Sequence, residues 1–78
     1  MIQREMRLLV TFRTTEGAMA MEEFCRAAGA DGRLIPVPRQ ITAGCGLAWS
    51  AKPESRPLLE SLMQANGLEP QDMQFCMV

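Results

Sequence analysis

Laid over itself with an offset of about 38 positions, the sequence places Ala20, Met21, Phe24, Cys25, Gly29, Ile35 and Val37 on Leu58, Leu59, Leu62, Met63, Gly67, Met73 and Phe75. Such a repeat constrains the fold more than composition does, because each half must supply the same elements in the same order. In the first half, Leu8, Val10 and Phe12 alternate with Arg7, Leu9, Thr11 and Arg13, the period-two pattern of a half-buried strand. Thr14 and Thr15 then offer helix-capping hydroxyls. Ala20, Met21, Phe24, Cys25 and Ala28 recur at helical spacing opposite Glu22, Glu23 and Arg26, and Gly29 ends the helix. Residues 33–38 read as a second strand, and Pro36, which has no amide to donate, assigns it to a sheet edge.

The second half repeats this plan. Leu47, Trp49 and Ala51 alternate with small residues in a third strand, and Pro53, Glu54, Ser55 and Pro57 make a helix start. Leu58, Leu59, Leu62, Met63 and Ala65 supply the apolar stripe, Gly67 closes it, and Met73, Phe75 and Met77 alternate with Gln74 and Cys76 in a last strand. Two βαβ halves imply an α+β, ferredoxin-like βαββαβ fold, a four-stranded antiparallel sheet with two helices on one face. The first and third strands are then central, and a chain of 78 residues has room for one such domain, spanning 1–78.

Charge excludes several functions. The 8 basic and 9 acidic side chains are scattered, so no concentrated positive surface is available and no nucleic acid is expected as a partner. Met6-Arg7-Leu8-Leu9-Val10 is broken by charge, which argues against a signal peptide or a membrane span and assigns the protein to the cytoplasm by default. Histidine is absent, which removes imidazole acid–base chemistry. Cys25, Cys45 and Cys76 are an odd count at wide spacing, so they read as reduced thiols and not as a disulfide framework. With no Cys-x-x-Cys pair, neither a metal site within one chain nor a cofactor is expected.

One segment exceeds what a hairpin needs. Pro38-Arg39-Gln40-Ile41-Thr42-Ala43-Gly44-Cys45-Gly46 joins the two halves, and Gly44 and Gly46 strip side chains from both sides of Cys45. Another molecule can then approach the sulfur in line, as thiol exchange requires, and the backbone can adopt positive φ. Arg39 folded back toward Cys45 would lower the thiol pKa from about 8.5, and Thr42 with the amides near Gly44 and Gly46 would add donors to a bound anion. Plainer readings stand beside these. Free cysteine is commonly a small buried residue, and a single arginine is commonly a solvated charge. Cys25 falls on the buried stripe of the first helix, Cys76 is expected to be partly exposed, and Trp49 reads as a core anchor.

The stretch from Pro38 to Leu47 resembles a family of very small bacterial proteins described as selenium/sulfur carrier-like, whose pattern is Pro-Arg, an aliphatic residue, Ser or Thr, then Gly-Cys-Gly. The likeness runs from roughly Arg7 through Phe75 and includes the Gly32-Arg33-Leu34-Ile35-Pro36 approach. It implies that Cys45 carries sulfur or selenium as a persulfide or selenenylsulfide, with Arg39 as the matching basic residue and a cysteine desulfurase or selenium-metabolism protein as partner. Thr42 stands where serine is frequent in the family, and Cys25 and Cys76 are additional.

The leading expectation is therefore a carrier sooner than an enzyme with turnover of its own. The alternative is a non-enzymatic regulatory module that binds a protein or small anion through the loop from Arg39 to Gly46, since the fold alone does not separate these roles. A thiol-dependent metal chaperone would need Cys45 from two chains, or Cys76 brought near it. The edge from Met73 to Val78 could pair with a second copy to give a homodimer.

Overall fold

The computed structural model describes residues 5–39, 41 and 46–77. They form β1 (Met6–Thr11), α1 (Thr15–Ala28), β2 (Arg33–Pro36), β3 (Leu47–Ala51), a 3-10 turn (Pro53–Ser55), α2 (Arg56–Ala65) and β4 (Asp72–Met77). The strands make one antiparallel sheet in the order β2-β3-β1-β4, the α+β ferredoxin-like arrangement expected from the repeat. β1 and β3 are central, and Pro36 lies on an edge strand, where its missing amide leaves no gap in the sheet.

Local chemistry sets the helix limits. Thr14 adopts extended backbone and its hydroxyl accepts from the Gly17 amide at 3.1 Å, satisfying one of the orphan donors at the start of α1. At the other end Gly29 takes φ 70°, and the Ala30 amide donates to the Cys25 carbonyl at 2.8 Å. Gly67 repeats this at the end of α2, with φ 65° and the Leu68 amide donating to the Met63 carbonyl at 2.8 Å. The two glycines are equivalent in the repeat, and both occupy the left-handed region that closes a helix cheaply only without a side chain.

Both helices cover one face of the sheet. Leu8, Val10, Phe12, Trp49 and Ala51 meet Ala18, Met21 and Cys25 of α1 and Leu59 and Met63 of α2 in one buried cluster. Each of the larger side chains contributes roughly 1.5–3 kcal/mol by leaving water. Burial follows the repeat: Met21 and Leu59 are both fully enclosed, while Phe24 and Leu62 are both half-buried.

The buried stripes are narrower than the sequence pattern implies. Leu58 is 48% exposed, and Ala28 and Ala65 are also exposed. Successive helical residues turn by about 100°, so docking α2 through Leu59 and Met63 rotates Leu58 toward solvent. The sheet departs from expectation in the opposite sense. Leu9, Thr11, Ala48 and Ser50 point away from the helices, yet all are buried. All four are central-strand residues, and Ala48 and Ser50 have longer neighbours on both sides: Ala48 lies between Ile35 and Thr11, and Ser50 between Arg33 and Leu9. Arg7 closes over Ser50, its Nε donating to the hydroxyl at 3.1 Å.

Candidate functional site

The topology gathers several chain segments at one end of the sheet. β1 finishes at Thr11 opposite Ala48, β2 finishes at Pro36 opposite Leu47, and β4 begins at Asp72 opposite Thr11. The connection between β2 and β3 therefore shares this end with Arg13, Thr14 and the N-terminus of α1. Its stems are tied together, because the Val37 amide donates to the Gly46 carbonyl at 3.0 Å and so extends the β2–β3 ladder by one step.

Within the connection, the Ile41 amide donates to the Pro38 carbonyl at 3.0 Å. This closes a turn and leaves Arg39 exposed at its corner, while Ile41 is only 8% exposed. Ile41 and Leu9 are buried without belonging to the helix-side cluster. Gly46 has φ 78°, as the sequence suggested, and a Cβ built there would meet nothing within 4 Å. Its backbone conformation, and not crowding, is what favours glycine. Thr42, Gly44 and Cys45 lie outside the described residues.

Charges of both signs share this end, Arg13 and Arg39 with Glu16 and Asp72. Arg13 and Arg39 are both exposed, and neither forms an ion pair among the described residues. The start of α1 adds the positive end of a helix of 14 residues, partly offset by Glu16 in its first turn. Periodicity alone puts Arg13 on the outer face of a strand. That it follows the end of β1 at the same end of the sheet as the start of β3 comes from the pairing of β1 with β3, a long-range contact without a local signature. The buried Ile41 did have one, a lone aliphatic side chain in an otherwise polar loop.

The other two thiols have different surroundings. Cys25 is fully enclosed in the core, and burial pushes its pKa up to about 11, so it stays protonated at neutral pH. Cys76 is half-buried on β4 opposite Arg7, on the face away from the helices and toward the far end of the sheet. Neither stands beside Gly46. Among the described residues no group of three or more histidine, cysteine, aspartate or glutamate side chains is placed to hold a metal ion, and no helix is long and apolar enough to cross a membrane.

A family model with the description "Putative Se/S carrier protein-like" matches residues 7–74, which is most of the chain. No curated protein and no solved structure matches.

Proposed function

The chain belongs to the Se/S carrier protein-like family, and from that premise we propose that Cys45 holds a sulfane sulfur or selenium as a persulfide or selenenylsulfide and passes it between proteins. The observation that supports this most is the tied stem at Val37 and Gly46, which returns the chain to β3 directly after Cys45 at the end of the sheet that carries Arg13, Arg39 and the start of α1. Cations and helix N-termini favour thiolate over thiol, and the thiolate is the species that attacks a persulfide or a disulfide. Arg39 serves as thiolate stabiliser in this reading, and Thr42, Gly44 and Gly46 shape the approach to the sulfur.

The donor is a cysteine desulfurase or a selenium-metabolism protein, and the exchange takes place in the reducing cytoplasm. Carriage needs no turnover of its own: the protein accepts one chalcogen atom and gives it up. The test is to incubate the reduced protein with cysteine and a cysteine desulfurase and to record an intact mass. Wild type gains the mass of one sulfur atom and Cys45→Ser gains none. An unmodified wild type, or equal uptake by Cys45→Ser, contradicts the proposal.

A further inference from the structure

The edge of the sheet opposite β2 borders a cleft between α2 and the start of β4, open to solvent and about 680 Å³ in volume. Pro57 and Met63 of α2 line it together with Leu68, Pro70 and Met73. β4 pairs with β1 alone, so its other side is an open edge. Met73 pairs with Val10 and Phe75 with Leu8, which places Met73, Phe75 and Met77 on the face of the sheet that the helices cover. Phe75 and Met77 are nevertheless exposed, so the apolar lining of the cleft continues along the edge. The Arg56 guanidinium lies 5.5 Å from the centre of the Phe75 ring and still leaves much of that ring open. The strand reads Asp-Met-Gln-Phe-Cys-Met and has no lysine or proline of the kind that guards an edge against further pairing.

Charge decides what fits there. Among the described residues, the charged groups lining the cleft are Glu60 and Glu69, both exposed. Glu60 shares its charge with Arg56 at 3.5 Å, whereas Glu69 forms no ion pair among the described residues. Asp72 adds a third carboxylate at the head of β4, where it accepts from the Met73 amide at 2.9 Å. Three carboxylates against one guanidinium favour a cationic occupant. A second copy seated edge to edge would bring another Asp72 and no basic side chain from its own β4. We propose that the cleft and the β4 edge form a docking surface for an extended segment of a partner protein. Its aliphatic side chains enter beside Met63, Leu68 and Met73, and its lysine or arginine side chains reach Glu60 and Glu69. Such a segment adds a strand to the sheet, so main-chain bonds hold it and alternate side chains select it. Asp72 pairs with Thr11 at the end of the sheet where Pro36 pairs with Leu47, so a partner seated here shares that end with the stems of the β2–β3 connection. Docking of this kind goes beyond the carrier reading and does not depend on it.

The probe is the synthetic peptide acetyl-Lys-Thr-Leu-Thr-Val-Thr-Lys-amide, which sets two aliphatic and two basic side chains on one face of a strand. A control peptide carries glutamate in place of both lysines. Backbone amide chemical shifts of the full chain are followed as each peptide is added to wild type and to the Glu60→Gln/Glu69→Gln variant. Saturable shifts confined to residues 60–64 and 68–77, no saturation with the glutamate peptide, and binding weakened by about threefold or more in the variant support the proposal. No saturable shift with the lysine peptide, equal binding of the two peptides, equal binding by wild type and variant, or shifts centred elsewhere overturn it. Self-association that maps to β4 without any peptide assigns the edge to a second copy and also overturns it. The titration has no readout at Cys45, so its failure is distinct from a failure to take up sulfur.

Discussion

Gly32 sits so close to Trp49 that a side chain cannot be added without moving the indole: a Cβ there would meet Nε1 of Trp49 and stand 2.7 Å from the Ser50 carbonyl oxygen. The indole is held in turn by donating from Nε1 to the Asp31 carbonyl at 3.2 Å. Asp31 also accepts the Lys52 amide on its carboxylate at 3.0 Å, so the approach to β2 and the exit from β3 are fastened at one point.

Gly32→Ala is therefore expected to destabilise the fold by roughly 2–5 kcal/mol, since it adds overpacking to a backbone at φ 126°. Gly46→Ala, where the added atom meets open space, is expected to cost only about 1–2 kcal/mol through its positive φ. Urea unfolding of both variants checks the ranking. Equal losses would show that crowding at Trp49 is not what demands glycine.

Removing the cap of α1 should cost less. Thr14→Ala deletes the acceptor for the Gly17 amide and is expected to lower stability by about 1 kcal/mol, with Thr14→Ser retaining most of it. A denaturation midpoint for Thr14→Ala indistinguishable from wild type would contradict the capping role.

The buried Cys25 makes stability fall at alkaline pH. Its folded pKa of about 11 lies above the ordinary 9.0, so between these values the unfolded chain releases a proton that the folded chain retains. The contribution is complete below about pH 9 and is lost as pH rises toward 11, and two units correspond to about 2–3 kcal/mol. Unfolding free energies measured across this range for wild type and Cys25→Ala should converge. Parallel curves would mean that the thiol ionises without a folding penalty.

Much of the architecture is legible in the sequence because caps and periodicities are local. Thr14, Gly29, Pro36 and Gly67 do in the structure what their chemistry suggests. What is not legible depends on docking. Leu58 matches the apolar stripe as well as Leu59 does, and only the seating of α2 on the sheet decides which is enclosed. Leu9 alternates as an outward residue and is nonetheless fully buried on a central strand, between Ser50 and Gln74. The same holds at the candidate site. The motif offers Cys45 and Arg39 as the proposed pair, whereas the end of the sheet that β1 and β3 share is set by strand pairing across 35 or more residues of chain.

If Arg39 supports the thiolate, Arg39→Gln should raise the midpoint of the pH–alkylation profile of Cys45 by a few tenths of a unit to about one unit. Cys76, remote from this turn, should keep its profile, which serves as an internal control mapped in the same sample. An unmoved Cys45 midpoint would remove Arg39 from the site.

Residence of a chalcogen atom on Cys45 between donor and acceptor underlies every step proposed for this protein. It is tested most directly by charging the protein with isotopically labelled sulfur from cysteine and a desulfurase, removing the donor, and locating the label by peptide mapping before and after a thiol acceptor is added. A single labelled sulfur per chain is expected, found on the Cys45 peptide and leaving with the acceptor. Label on the Cys76 peptide, label that no acceptor removes, or no label on the chain would contradict it.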